Sequence, residues 1–367
     1  MRIESIYYLR FAAMLLVVFV HVTGTFSTTL PLESGAYEKY HFINRIARIE
    51  AGIFIMITGL VFFYNLFPKT LNKFTLKDYY KKRVTFIIIP YLIWALFYEM
   101  YSVATGDRSL AITEIPQRIL TGTSYYQLHF IFLIVQFYLF LPLFVYAAQS
   151  SIWLRKYLWL VGFVIEYIYY FLNLKFGFVE FSLFFNSLST FLLGGWFGIY
   201  YVQQRKKAYS NSNWLLGIVT LLFGSLAAVY YYQVYEMNNY YFAWDPYKLI
   251  SMIFLFIGSL FFFRLAEWAA QTASNKITEH IKRVALYSFG FYLIHPFILK
   301  EAARFIPMHS NYLFHIDIVL RYITVVVLCY LVIFTVHKLS PKAASLLFGK
   351  MPPEAVFLLS PYRNRSK

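Results

Sequence analysis

Cysteine and charge are what this sequence has least of. The 367-residue chain holds one cysteine, Cys329, which excludes any disulfide within the chain. Charged residues make up 14% of it, against about 25% in soluble globular domains. A chain so poor in charge is built for a solvent other than water. The glycine loops G-x-x-x-x-G-K-S/T and G-x-G-x-x-G, which cradle phosphates, are absent. So are His-x-x-x-His and Glu-x-x-His pairs at helical spacing in the apolar segments, so no metal centre is expected. There is no internal repeat, no low-complexity tract and no separate soluble domain, and loops reach only roughly 20 residues, beyond the usual 2–6.

What the chain has instead is apolar and aromatic bulk. Hydrophobic residues make up 60%, with 40 Phe and 34 Tyr, and the mean hydropathy is +0.57. Ten apolar segments are each long enough for a hydrocarbon core of about 30 Å, which takes about 20 helical residues. They run over 6–28, 43–66, 84–104, 128–148, 153–174, 181–202, 213–234, 247–266, 284–302 and 317–338. The first, around Tyr7 to Phe26, lacks a small-x-small cleavage site and is expected to be a helix of the mature protein. The expected fold class is all-α: a polytopic transmembrane helical bundle of about ten helices, multi-pass in the plasma membrane, with the lipid bilayer as its surroundings. Residues 1–340 form the membrane domain in this reading and 341–367 a short basic tail.

The formal charge of +16 is unevenly placed. Twenty-two of the 33 Lys and Arg fall in the two chain ends and in alternate loops, notably 69–83 and 205–207. Nine fall in the opposite loops and helix ends, and Arg10 and Arg321 lie within helices. Basic loops stay in the cytoplasm, so both termini are expected there. The basic residues are spread over several loops without a nucleic-acid-binding module, so nucleic acid is not an expected partner.

Charge inside a membrane span is costly, and each instance is a candidate site. The first segment carries Arg10 and His21, eleven residues apart. That is close to three helical turns, so both face one way with Cα atoms about 16 Å apart along the axis. Arg10 falls near the cytoplasmic end and His21 past the middle. Glu50, Glu99, His129, Glu166, His295 and Arg321 fall mainly in the outer half. The alternative role for each is an interhelical hydrogen bond or a side chain reaching for the interface. Gly194-Gly195-Trp-Phe-Gly198 suits close helix packing through small residues.

The segment Tyr8-Leu-Arg-Phe-Ala-Ala-Met-Leu-Leu-Val-Val-Phe-Val-His21 resembles the opening of the membrane acyltransferase 3 family, which carries Arg, ten residues, then His. Further pieces follow in order. Ile53-Phe-Ile-Met-Ile-Thr-Gly59 resembles the second-helix Phe-Phe-x-x-Ser-Gly motif, with Thr58 for the common Ser. Lys81-Lys-Arg-Val-Thr-Phe-Ile-Ile-Ile-Pro90 resembles a basic run leading to a helix-starting proline. Gln127-Leu-His-Phe-Ile-Phe and Gln136-Phe-Tyr-Leu-Phe-Leu-Pro142 resemble the mid-chain block of the intercellular adhesin (poly-N-acetylglucosamine) branch. Tyr287-Ser-Phe-Gly-Phe-Tyr-Leu-Ile-His-Pro296 resembles the late His-Pro motif. Gly52 stands where many members have Asp, and Glu50 is the nearest carboxylate.

The resemblance implies transfer of an acyl group, usually acetyl, from cytoplasmic acyl-CoA to a hydroxyl or amine of a cell-surface or lipid-linked carbohydrate. Acyl-CoA, such as acetyl-CoA, is then a donor substrate and no permanently bound cofactor is expected. Arg10, Lys82 and Arg83 are the candidate donor-binding residues, since guanidinium groups suit phosphates; Lys82 and Arg83 equally serve topology and anionic lipid. His21 is the candidate general base or a covalent acyl carrier. Glu50 is the candidate that orients it. His295 and His129 are candidates for acceptor binding or proton relay, and Gln136 for acceptor binding. His295-Pro296 also suits a helix distortion whose freed carbonyls need partners. The alternatives are export of a polysaccharide such as poly-N-acetylglucosamine, or a scaffold among other glycan-synthesis proteins.

Overall fold

The computed structural model describes residues 3–177, 179, 181–239, 246–309 and 311–351, and these contain helices and no strand. The helices are α1 Ser5–Ser27, α2 Gly35–Ala47, α3 Ile49–Leu66, α4 Lys73–Arg83, α5 Ile89–Ala104, α6 Ile115–Thr121, α7 Leu128–Ser150, α8 Ile152–Lys156 and α9 Leu158–Phe176. They continue with α10 Leu188–Ile199, α11 Tyr201–Arg205, α12 Ser212–Tyr231, α13 Tyr247–Thr272, α14 Asn275–Ala285, α15 Ser288–Phe305, α16 Leu313–Leu339 and α17 Pro341–Phe348. Among the described residues, eight helical stretches are long and apolar enough to cross a membrane. The remaining two of the ten expected spans are α10, with 12 residues, and α15, with 18 residues and Lys300, Glu301 and Arg304 in its last turns. The protein is a multi-pass membrane protein.

Helix ends follow local chemistry. Ser34 caps α2 by accepting from the Tyr37 amide at 3.1 Å, and Asn72 caps α4 by accepting from Thr75 at 2.9 Å. The expected span 43–66 is broken at Arg48, where the helical pattern lapses between α2 and α3. The span expected to start at 84 begins with a wide turn over Val84–Ile88, continuous with the basic helix α4. The span expected over 153–174 is interrupted at Tyr157, leaving α9 to cross.

Both ends of the described chain lie at one end of the bundle, where Arg10 and Lys350 line a common cavity. The short helix α14 lies there too, with Thr278 2.9 Å from the Tyr8 hydroxyl. We call this the basic end. The expected tail begins as α17, which is part of the bundle: Phe348 is buried and the Trp94 indole donates to Leu347 O at 2.8 Å. The rest of that expected tail, from 352 on, lies outside the described residues.

Between the ends, the helices touch closely where side chains vanish. A Cβ at Gly59 would fall 2.0 Å from Phe191 O, and one at Gly194 2.0 Å from Met56 O. Glycine at both points lets α3 and α10 meet backbone to backbone, the packing that membranes favour in place of a hydrophobic driving force. On the outside, α7, α12 and α16 present exposed Leu and Ile, such as Leu143, Ile218 and Ile323, as a lipid-facing surface requires.

Candidate functional site

Helix α1 passes two cavities in turn. The first, at the basic end, has a volume of about 680 Å³. Five basic residues line it, Arg10, Lys69, Lys82, Arg83 and Lys350, against one acid, Asp78. Asp78 pairs with Lys82 at 2.6 Å. The Arg83 guanidinium stacks 4.2 Å from the Phe62 ring centre, with Tyr79 and Tyr138 beside it. The volume lies within the range for small-molecule pockets, roughly 300–1,000 Å³. The excess of positive charge over aromatic walls suits a phosphate-bearing ligand with a flat ring.

The second cavity, of about 330 Å³, lies on the far side along α1 and is lined by His21, Glu50 and His129, together with Arg45, Arg48, Tyr126, Gln127 and Tyr247. Phe54, Phe130 and Tyr292 line both cavities. Their ring centres lie 5.6 to 6.3 Å apart, so three aromatic side chains stand between the two spaces.

His21 is held in place by its helix neighbours. Asn44 of α2 donates to Val20 O at 2.6 Å and to Thr23 Oγ1 at 2.8 Å, which ties α2 to α1 on either side of the histidine. The His21 ring lies 4.7 Å from Tyr126 and 5.0 Å from His295, centre to centre. His295 is fully buried, and its Nδ1 lies 3.0 Å from Phe291 O. A carbonyl only accepts, so Nδ1 carries the proton and Nε2 of the neutral ring presents a lone pair. Nε2 has no hydrogen-bond partner among the described residues.

His295 also sits at a helix distortion. Proline at 296 removes one amide donor from α15. At the next rung, the Tyr98 hydroxyl inserts into the ladder, donating to Leu293 O at 2.8 Å and accepting from Phe297 N at 3.3 Å. The His-Pro pair thus lies beside a rung bridged by Tyr98, with the imidazole next to His21.

Glu50 opens α3, is buried, and has one carboxylate oxygen, Oε2, without a partner. Gly52, the departure from the common Asp, has a packing cause. A Cβ there would fall 2.8 Å from Ser259 Oγ on α13. His129 holds Tyr126 O through Nδ1 at 2.6 Å. Gln136 is not brought to the site. It lines neither cavity, and its carboxamide bonds Ser182 O and the Phe184 amide, each at 3.0 Å. Its proximity in sequence to His129 misleads because seven residues along α7 carry it about 10 Å away, where it anchors the segment before α10.

Other buried charges serve the scaffold. Glu99 accepts from Arg118 and Arg108. Glu166 accepts from Lys248 and Ser189 at 2.8 and 2.6 Å. Arg321 donates to Ile306 O and stacks 4.5 Å over Phe26. In sequence, Arg45 and Arg48 look like other loop and helix-end charges, and Gln127 and Tyr292 stand out only within motifs. Their shared cavity was not visible until α2, α7 and α15 were packed on α1. Among the described residues no cluster of three His, Cys, Asp or Glu is suited to a metal ion.

The fold is a bundle of membrane helices with two cavities in succession along α1. The Acyltransferase domain profile matches residues 3–338, nearly the whole chain, and the protein belongs to the acyltransferase 3 family. Similar curated proteins are each called probable poly-beta-1,6-N-acetyl-D-glucosamine export protein. The one from Staphylococcus aureus (strain MSSA476) is 25% identical over 317 residues, 82% of this chain and 83% of the relative. The one from Staphylococcus epidermidis is 24% identical over 312 residues, 82% of each. No solved structure matches.

Proposed function

We propose that the protein transfers an acyl group from acyl-CoA, bound at the basic end, to a hydroxyl of a carbohydrate bound in the second cavity. The observation that supports this reading is the run of α1 past both cavities, with Arg10 lining one and His21 the other. The five basic residues of the first cavity are matched to the phosphates of CoA. By the positive-inside rule that end faces the cytoplasm, where acyl-CoA is made.

In this mechanism the neutral His21 imidazole takes the proton of the attacking hydroxyl. The hydroxyl oxygen forms a bond to the thioester carbonyl carbon, the C–S bond breaks, and the departing CoA thiolate takes the proton from His21, which returns the imidazole to its neutral form. Glu50 accepts a hydrogen bond from the sugar, and His295, packed 5.0 Å from the His21 ring behind the cavity lining, orients that ring. The aromatic group of Phe54, Phe130 and Tyr292 keeps water and CoA phosphates out of the second cavity while the acyl end passes between the rings.

The test supplies labelled acetyl-CoA and candidate glycans to membranes carrying the wild type or His21→Ala. The expected loss in acyl incorporation is about 10²- to 10⁴-fold. Equal incorporation by both would remove His21 from the mechanism. A second reading is favoured by the printed names of the relatives and by the alignment of the two cavities: export of a polysaccharide past the three rings. Wild-type protein that exports glycan but binds no acyl-CoA would select it.

A further inference from the structure

The far end of the bundle carries basic residues against the general charge bias, and most of them are accounted for. Arg108, Arg118, Lys248, Lys300 and Arg304 each pair with a carboxylate within 4.0 Å. Lys39 and Lys175 are exposed at the surface. Arg45 and Arg48 differ from both groups. They line the second cavity, and neither forms an ion pair among the described residues. Glu50, the one carboxylate of that cavity, lies beyond 4.0 Å of either guanidinium.

Both arginines are held in position by uncharged partners. The Arg48 Nε donates to Asn44 Oδ1 at 3.2 Å, and Asn44 is itself fixed to α1. That leaves the two terminal nitrogens of Arg48 as a preset fork. The Arg45 guanidinium stacks on the Tyr231 ring at 3.2 Å from its centre. Arg45 is half-buried and Arg48 exposed at the cavity, and a planar fork is suited to two oxygens of one anion. In the same cavity the Gln127 carboxamide is 2% exposed and has no hydrogen-bond partner among the described residues for either polar atom. It is a second, independent sign of a polar ligand.

We infer that the second cavity takes a carbohydrate carrying an anionic group, a carboxylate or a phosphate, with Arg48 and Arg45 holding the anion while a neighbouring hydroxyl reaches His21. The inference rests on the proposed role of this cavity as the acceptor chamber. It sets the acceptor apart from a wholly neutral polymer such as the one in the relatives' names.

The experiment measures binding to purified protein in zwitterionic nanodiscs. The probes are a galacturonic acid trimer, a glycerol phosphate oligomer and an uncharged N-acetylglucosamine trimer. At least one anionic probe is expected to bind about tenfold or more tightly than the uncharged one. Arg48→Gln and Arg45→Gln should each remove that preference, and Arg48→Lys should restore part of it. Acetyl-CoA binding in the same variants reports that the fold is intact. Equal affinity for charged and uncharged probes, or a preference that survives Arg48→Gln, overturns the inference. Loss of the preference on adding phosphatidylglycerol also overturns it, since the anion would then be a lipid headgroup. Failure of the wild type to bind acetyl-CoA, with the anion preference intact, would sink the acyl-transfer reading and leave this one standing.

Discussion

At the scale of single residues, the second cavity is marked by polar groups that the protein itself leaves unmatched. Gln127 and Glu50 Oε2 line it and lack partners among the described residues, and so does His295 Nε2, which lies beside His21 but lines neither cavity. An unmatched buried polar group costs about 1–3 kcal/mol, so such groups persist where a ligand uses them. Gln127→Leu is therefore expected to keep or raise the thermal midpoint in detergent while lowering acyl transfer at least about tenfold, as for loss of a hydrogen bond to a bound group. The Tyr292 hydroxyl bonds the Gln127 backbone carbonyl, which the substitution leaves in place. A fall in the midpoint by several degrees would mean the carboxamide is bonded within the protein. Of these residues, Glu50 and His295 were legible in sequence because ionisable groups in apolar runs stand out. Gln127 was not, since an uncharged amide gives no such contrast.

At the scale of elements, α3 and α10 owe their contact to glycine. Gly194→Ala pushes a methyl toward Met56 O, at 2.0 Å as the helices stand. Separating α3 from α10 to fit it is expected to destabilise the protein by up to about 3 kcal/mol, read as a lower thermal midpoint and a loss of monodisperse protein. Gly35→Ala, with nothing within 4 Å of its new methyl, is the control and should behave as wild type. The small-residue run Gly194 to Gly198 was readable as packing, and it packs. Its partner Gly59 was read only as part of a motif, because pairing between distant segments leaves no local mark. The break at Arg48 was also hidden. Apolar content runs on through 43–66 across the lapse, and Arg45, Arg48 and Glu50 around it line one cavity.

At the scale of the whole molecule, orientation is open to a direct check. The one cysteine, Cys329, is fully buried, so its background reactivity is low. On intact cells, an impermeant thiol reagent is expected to label Leu110→Cys, at the far end, and to spare Lys77→Cys, in the basic helix α4. The reverse pattern would invert the protein in the membrane and move the proposed acyl-CoA site outside. The sequence by itself determined that the chain crosses a bilayer repeatedly, which way its basic loops bias it, and that Arg10 and His21 share a face of one helix. Those follow from hydropathy, charge count and the 3.6-residue turn, all local quantities. Only the tertiary structure decided that Arg10 and His21 line separate cavities, that three aromatic rings from α3, α7 and α15 stand between them, and that Gln136 belongs to neither. Those facts depend on which distant helices touch and in what rotation, set in a membrane by close packing and hydrogen bonding between helices that the pattern of any one segment does not encode.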